Sequence, residues 1–250
     1  MNDGTAIVIW ISLTFVTAGL VKGVVGMGLP TVAIGVLSLV MAPAEAAAML
    51  VVPSLVTNIW QLLAGPAFGA LLRRLATMML AVFAGTIISI GVLTGQSAPL
   101  AGAALGTVLA LYGVVGLAAP RFAVPAKVEP WLSPPIGLVT GLVTGATGVF
   151  VIPAVPYLSS LGLAKEELIQ ALGLSFTVST VALACALSLS GQFQLAAASN
   201  SLLAVVPALA GMFIGQRVRA RLRPETFRRW FFIGLVALGV YMIARVLGTR

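Results

Sequence analysis

The sequence predicts an all-α polytopic membrane protein made of two inverted-topology repeats, each with one glycine-broken segment and three transmembrane helices. Of its 250 residues, 60% are apolar and only 8% are charged, whereas soluble domains carry roughly 25% charged residues. Apolar runs of bilayer length recur along the chain, and two longer runs share a glycine pattern. The positions of the cationic residues then indicate that the two halves run in opposite directions.

Six segments have the length of a plain membrane-spanning helix, which needs about 20 residues to cross a hydrocarbon core of about 30 Å. Proline and glutamate at the start of a segment, as in Pro43 with Glu45 and Pro224 with Glu225, are typical of the first helical turn. The six predicted helices are 44–65, 75–95, 98–118, 167–189, 196–216 and 226–246.

Two further apolar segments, 5–41 and 133–162, do not fit a single crossing. At 1.5 Å per residue the first would form a helix of about 55 Å, and Pro153 and Pro156 interrupt the second. Both are therefore expected to break, as re-entrant segments or as hairpins. Each contains three glycines spaced by four and three residues and then a proline. In the first segment these are Gly19, Gly23, Gly26 and Pro30. In the second, the glycines recur 122 residues later as Gly141, Gly145 and Gly148, and the proline, Pro153, follows one residue further on. Such triplets also occur as plain helix-packing faces, so spacing alone leaves packing and function as alternatives.

The two halves also match outside the glycines. At an offset of 121, Pro43-Ala44-Glu45 aligns with Ala164-Lys165-Glu166, and Ser54 aligns with Ser175. The match places the first repeat at 1–118, a cytoplasmic linker at 119–133 and the second repeat at 134–250.

Cationic residues indicate the orientation, because loops rich in lysine and arginine stay in the cytoplasm. Cations mark the loop at Arg73 and Arg74, the central linker and the loop before the last helix, whereas the loops around Gln96 and Gln192 have none. Helix 44–65 then starts outside and helix 167–189 starts inside. Each broken segment returns to the side from which it entered, and both termini lie outside, in the periplasm. The alternative is eight plain helices in parallel halves, with a six-arginine loop outside.

Several classes of function are excluded by composition. The chain has no histidine and one cysteine, so the usual zinc and histidine-ligated haem sites are excluded, and we expect no cofactor and no metal. All six acidic residues lie near the ends of apolar runs, so serine or threonine nucleophiles lack an activating base, and an enzyme is not expected. The net charge is +8, and the cationic residues lie between apolar runs. This distribution argues against nucleic acid as a partner. Cys185 is expected to be a small packing residue.

Lys22 is the one charge inside an apolar segment, directly before Gly23. A cation at this depth either lines a water-filled path or snorkels towards the interface. Its counterpart in the second half is Thr144. Exposed N–H groups at broken helices and glycines without side chains favour an anion. The predicted substrate-binding residues are Lys22, Gly23, Gly26, Gly28, Asn58, Thr144, Gly145, Thr147, Gly148 and Ser175.

Other hydroxyl and amide groups gather in matching parts of the two halves. Each one alone is also explained by an interhelical hydrogen bond or by a bond to its own helix. As a set they fit a polar pocket. They are Thr31, Ser54, Thr57 and Gln61 in the first half, and Thr140, Thr177, Ser179 and Thr180 in the second.

The glycine segments, Gly19-Leu20-Val21-Lys22-Gly23-Val24-Val25-Gly26-Met27-Gly28-Leu29-Pro30 and the later segment from Gly141 to Pro153, resemble the TauE/SafE family, also called the sulfite exporter or toluene sulfonate uptake permease family. The second copy departs from the first, with Phe150 at the position of Gly28. The resemblance covers essentially the full chain. It implies transport of sulfite, sulfonates or related small sulfur-containing or organic anions across the bacterial inner membrane.

Together these inferences predict a secondary transporter, with export as the direction that an inside-negative potential favours for an anion. Its expected partners are a small anion and the lipid bilayer, and a homodimer is compatible with the sequence. The alternative functions are a non-transporting accessory membrane subunit and a pore for a neutral solute.

Overall fold

The computed structural model describes residues 3–95, 98–118, 123–192, 201–219 and 224–248. These ranges are helical and contain no β-strand. The helices are α1 (Asp3–Val25), α2 (Leu29–Leu37), α3 (Pro43–Leu63), α4 (Phe68–Ser89), α5 (Gly91–Thr94), α6 (Ala98–Ala118), α7 (Glu129–Thr147), α8 (Ala154–Ser159), α9 (Lys165–Leu189), α10 (Val205–Arg219) and α11 (Pro224–Gly248).

Within the described ranges, 7 helical segments are long and apolar enough to cross a membrane. Six of them confirm the six plain helices predicted from the sequence, and the seventh is Ala6–Val25 in the first broken segment. Side chains on the outer faces are apolar and exposed, such as Leu80 at 73% and Leu189 at 78%. These faces are suited to lipid, and the protein is a multi-pass membrane protein.

Several helices begin earlier than the apolar runs indicate. Arg73 and Arg74 lie inside α4, which starts at Phe68, so the prediction that they form a loop was wrong. α7 starts at Glu129, within the predicted linker 119–133, of which residues 119–122 lie outside the described residues. Arginine and glutamate are tolerated in the end turns of such helices, where their charged groups reach polar surroundings. Hydrophobicity alone therefore places these ends too far into the apolar run.

Both overlong segments break at a glycine, as predicted. α1 ends at Gly26 with φ of 84° and α7 ends at Gly148 with φ of 73°, a left-handed conformation that glycine adopts without strain. Both ends make the same hydrogen bond: Gly26 N–H donates to the carbonyl of Lys22 and Gly148 N–H to that of Thr144, each at 2.7 Å. The chain then turns into α2 and α8 respectively.

The starts of α3 and α9 correct the register of the second sequence match. Ala42 and Ala164 precede these helices, and their N–H groups donate to the carboxylates of Glu45 and Glu167. Glu45 therefore corresponds to Glu167 and not to Glu166, so the offset of 121 was wrong by one residue. The offset of 122 that relates the glycines also relates these helix starts.

With the halves aligned at 122 residues, α1 corresponds to α7 and α4 corresponds to α10. The packing follows the same correspondence, since α1 packs on α10 and α7 packs on α4. Glycines let both pairs approach closely: a Cβ on Gly23 would lie 2.3 Å from the carbonyl oxygen of Met212, and one on Gly145 would lie 2.3 Å from that of Thr86. In each pair the contacts advance along both helices together, so the two helices run parallel.

The centre of the molecule is formed by α3 and α9, the most buried of the long helices. They run antiparallel, because Gln61 donates to the carbonyl of Ile169 whereas Asn58, one turn earlier in α3, contacts Thr180 further along α9. Their outer faces remain exposed. Cys185 on α9 is exposed, so the expectation that it packs in the interior was wrong.

Candidate functional site

Lys22 lies in the last turn of α1, and its side chain is 4% exposed. Its Nζ donates a hydrogen bond to Thr57 Oγ1 at 3.1 Å and a second to Asn58 Oδ1. Both acceptors are on α3, so the ammonium group joins the end of α1 to the central helix pair. The side chain therefore points into the protein and does not snorkel towards an interface.

Among the described residues, no carboxylate pairs with this charge. The ion pair that joins Arg74 to Glu129 lies elsewhere in the molecule. An ammonium group has three N–H donors, and the two neutral acceptors leave one donor without a partner in the described part of the chain. A buried cation held only by neutral groups is costly. An anion beside Lys22 would supply the missing charge and accept the third hydrogen bond.

The partners of Lys22 lie where the two halves meet. Asn58 Nδ2 donates to Thr180 Oγ1 at 3.3 Å, and the offset of 122 makes Asn58 and Thr180 corresponding residues. This contact joins the two halves of the chain through α3 and α9. Lys22, Thr57, Asn58 and Thr180 therefore form one polar centre, called the central cluster below.

Five buried hydroxyls have no hydrogen-bond partner in the described structure. Buried polar groups are almost always paired, so unpaired hydroxyls indicate places where a ligand or water binds. The predicted Ser175 is among them. The five are Thr31 on α2, Ser38 directly after α2, Ser54 on α3, and Ser175 and Ser179 on α9.

The predicted threonines of α7 make local hydrogen bonds. Thr144 donates to the carbonyl of Thr140 at 2.7 Å, and Thr147 donates to that of Val143 at 2.7 Å. Thr147 also accepts a hydrogen bond from the N–H of Val149. Both threonines are buried, and their hydroxyl protons are occupied by their own helix.

The predicted glycines fall into two groups. Gly23 and Gly145 face neighbouring helices with no room for a side chain. Gly26, Gly28 and Gly148 form the breaks, all with positive φ. A Cβ on Gly26 would meet no atom within 4 Å, so free space borders the first break.

The two breaks lie at different levels in the molecule. Gly148 is packed against Ile34, which lies six residues beyond Gly28 in α2. At 1.5 Å per residue this separation is about 9 Å along the helix. The glycines of the two breaks therefore do not meet at one point, and the central cluster lies on α1, α3 and α9.

A cavity of about 950 Å³ reaches the first break from one end of the bundle. Met27 and Tyr112 line it close to the break, and the Tyr112 hydroxyl contacts the Met27 sulfur at 3.2 Å. Arg228 and Arg229 line it as well, and both are exposed. The cavity thus connects the arginine-rich end of the bundle with the segment that follows Lys22.

Two residues of the central cluster belong to the polar set described from the sequence but not to the predicted substrate-binding residues. Thr57 and Thr180 complete the central cluster. The sequence does indicate Thr180, because at the glycine offset of 122 it is the residue equivalent to Asn58. Thr57 has no comparable signal, since its partner Lys22 is on a different helix.

Sequence reasoning also missed two buried polar contacts that support the central helices. Gln170 on α9 accepts a hydrogen bond from Ala67 N–H and donates to the carbonyls of Leu62 and Gly65, each at 2.7 Å. Ser201 donates to the carbonyl of Met49 at 2.6 Å. Pro53 has no N–H for that carbonyl within α3, so Ser201 supplies the missing donor.

A third missed feature is an ion pair that joins α4 to α7. Arg74 binds Glu129 through two hydrogen bonds of 2.6 and 2.7 Å and also donates to the carbonyl of Leu161. Tyr157 donates to the backbone carbonyl of Glu129 and contacts the Ser133 hydroxyl. Arg74 and Glu129 are 55 residues apart, so the sequence gives no indication that they pair.

Comparisons with known proteins identify the family of the chain. Searches of curated proteins and of solved structures find no match to the chain. The model of the sulfite exporter TauE/SafE family matches residues 11–242. That range includes both glycine breaks, the central cluster and nearly the whole helical bundle, and the chain therefore belongs to the TauE/SafE family of membrane transporters.

Proposed function

We propose that this protein is a secondary transporter that moves a small sulfur-containing or organic anion, such as sulfite or a sulfonate, by alternating access across the bacterial inner membrane. One observation carries the proposal: Lys22 is buried at the centre of the molecule without a carboxylate partner. The substrate anion supplies the opposite charge there. Its oxygen atoms accept the free N–H of Lys22 and the protons of the unpaired hydroxyls around the central cluster.

The proposed site has the chemistry of an oxyanion site. Hydrogen bonds from a charged donor contribute about 1.5–3 kcal/mol each, and hydroxyl donors on α3 and α9 add directional contacts. Asn58 and Thr57 hold the Lys22 ammonium from the side of α3. Since these partners are neutral, they position the cation without neutralising it, and its full charge remains for the substrate.

The proposed mechanism depends on two repeats of opposite orientation, and the packing supports that arrangement. The corresponding helices α3 and α9 run antiparallel through contacts at Asn58 and Gln61. The corresponding helices α6 and α11 also run antiparallel, since Gly106 packs near Gly239 and Gly116 packs near Phe232. A two-fold axis between antiparallel partners lies across the helices and so in the plane of the membrane, as in many secondary transporters.

We propose export as the direction. An inside-negative membrane potential favours outward movement of an anion by about 2.3 kcal/mol per charge per 100 mV. With the cationic loops in the cytoplasm, both termini lie in the periplasm, and the arginine-lined cavity opens towards the cytoplasm.

The experiment is an anion flux measurement with purified protein in liposomes. Vesicles loaded with sulfite are diluted into sulfite-free buffer, and release is followed for the wild type, for Lys22→Ala and for Lys165→Ala. Lys165 begins α9 and is exposed, so Lys165→Ala is a matched control for loss of a lysine. The wild type and Lys165→Ala should release sulfite, whereas Lys22→Ala should release little more than protein-free vesicles.

The substrate class is tested with the same vesicles loaded with sulfate, thiosulfate, sulfoacetate, taurine or a carboxylate analogue. Selectivity among these anions that disappears in Lys22→Ala supports the proposed site. Wild-type protein without flux of any tested anion contradicts the transporter and favours an accessory subunit. Flux of neutral solutes that Lys22→Ala does not change favours a pore.

A further inference from the structure

The cavity of about 950 Å³ lies outside the central cluster and has a lining of its own. Its polar side chains are those of the exposed residues Arg228, Arg229 and Glu225, of two serines at the end of α8, and of Tyr112. The local charge is therefore positive, with two guanidinium groups against one carboxylate. A concave surface with this charge concentrates anions from solution.

One of the two arginines is already oriented by the protein. The guanidinium group of Arg228 lies over the ring of Phe232, 5.7 Å from its centroid, and Phe232 itself is 4% exposed and packed. Stacking of this kind restricts the side chain and leaves its N–H groups free for an acceptor. Arginine matches the geometry of an oxyanion with two parallel N–H groups.

The inner part of the cavity leads towards the proposed substrate site. Met27 and Tyr112 line it there, and Met27 belongs to the break that follows α1. Lys22 lies five residues earlier in the same segment. Gly26, between them in the chain, borders free space, so the first glycine break separates Lys22 from the residue that lines the cavity.

Four residues that line the cavity have packed counterparts at the offset of 122. Met27, Val155, Pro156 and Ser159 correspond to Val149, Ala33, Ile34 and Leu37. Every one of these counterparts is 0% exposed. They form an apolar plug, against which Gly148 also packs. At these four positions one set of residues thus lines the cavity, whereas the equivalent set is packed in the interior.

We propose that the cavity is a loading vestibule, in which Arg228 and Arg229 bind an oxyanion before it passes the first glycine break to reach Lys22. The inference rests on the proposed function, because a vestibule needs a transported anion. It adds a second anion site that is separate from the central cluster. It also assigns the described conformation to the state that is open at the arginine-lined end and closed at the plug.

The test measures the vestibule without relying on transport. Cys185 is exposed and is first replaced by alanine, and Ser159→Cys then introduces one thiol into the cavity. Its modification rate is compared for a negatively charged and a positively charged methanethiosulfonate reagent of similar size. The comparison is repeated with Arg228→Gln/Arg229→Gln, and with Arg217→Gln as a control, because Arg217 is exposed on α10 and does not line the cavity.

The thiol should react faster with the negative reagent, by about tenfold. Arg228→Gln/Arg229→Gln should remove this preference, whereas Arg217→Gln should leave most of it. Sulfate, an oxyanion that does not react with these reagents, should slow the reaction only where both arginines are present. Equal rates for the two reagents in the parent protein would overturn the proposal. Leu117→Cys, at a second lining position, repeats the test if Ser159→Cys does not fold.

An anionic lipid headgroup offers the same oxygen chemistry as a soluble oxyanion, so the measurement is made in neutral lipid and with added phosphatidylglycerol. Protection by sulfate in neutral lipid supports a solute site. Protection by phosphatidylglycerol alone overturns it. The proposed function fails separately: wild-type vesicles without anion flux would contradict transport, while the thiol rates still report whether the cavity binds anions.

Discussion

The ion pair between Arg74 and Glu129 yields an asymmetric prediction for stability. The Glu129 side chain is 8% exposed and the Arg74 side chain is 40% exposed. Arg74→Gln therefore leaves a buried carboxylate without its partner, whereas Glu129→Gln leaves a guanidinium group that can still reach polar surroundings. Removal of one partner of a buried pair costs about 3–5 kcal/mol. We expect about 3 kcal/mol for Arg74→Gln, because the pair is only partly buried, and about 1 kcal/mol for Glu129→Gln.

For a chain of this length, 1 kcal/mol corresponds to about 2–4 °C in Tm. Arg74→Gln should therefore lower the Tm by about 6–12 °C and Glu129→Gln by about 2–4 °C. The assay is thermal unfolding of purified protein in one detergent, at one heating rate, because unfolding of membrane proteins is commonly irreversible and the apparent Tm then depends on rate. Arg74→Gln/Glu129→Gln should recover part of the loss, since no unpaired carboxylate remains.

The control is Arg73→Gln. Arg73 is the neighbouring residue in α4, and its side chain donates only to the carbonyl of Gly69 in the exposed part of that helix. Its replacement should change the Tm by no more than about 1–2 °C. A larger loss for Glu129→Gln than for Arg74→Gln would refute the burial argument. An equal loss for Arg73→Gln would show that any charge at this end has the same effect.

Three further predictions concern residues of α1 and α9. Lys22→Met keeps the approximate length of the side chain and removes its charge, so anion flux should fall about 10- to 100-fold while the Tm does not fall. Preserved flux together with a lower Tm would instead indicate that Lys22 has a structural role. Gly23→Ala should lower the Tm by several degrees, because its Cβ would lie 2.3 Å from a carbonyl oxygen, whereas Gly234→Ala, which meets no atom within 4 Å, should not. Gln170→Leu removes three buried hydrogen bonds and should lower the Tm by about 4 °C or more; an unchanged Tm would mean that water replaces the amide.

Most of the helical architecture could be predicted from the sequence. Bilayer length and hydrophobicity were enough for the six plain helices, because a membrane-spanning segment must satisfy its backbone within itself. The two breaks were also predictable. Gly26 and Gly148 lie inside the segments 5–41 and 133–162, neither of which fits a single crossing. Helix ends were less predictable. Charged residues such as Arg74 and Glu129 extend helices beyond the apolar run, and hydrophobicity carries no information about them.

The candidate site was predictable only in part. A lone lysine in an apolar segment is conspicuous in the sequence, and Asn58 was selected with it. The sequence could not separate glycines that pack against a neighbouring helix from glycines that end a helix, because Gly23 and Gly26 belong to the same spaced triplet. One packs against α10 and the other ends a helix. Only the neighbouring helix distinguishes these roles.

The sequence by itself determined that the chain crosses a membrane many times, that it breaks at two related glycine motifs, and that it places one cation deep in an apolar segment. These are local properties of composition and spacing. The tertiary structure decided that Lys22 meets Thr57 and Asn58 and not a carboxylate, that Asn58 meets its counterpart Thr180, and that Met27 lines a cavity while its counterpart Val149 is packed. Such contacts join residues far apart in the chain, and their geometry depends on how whole helices pack, which no short segment encodes.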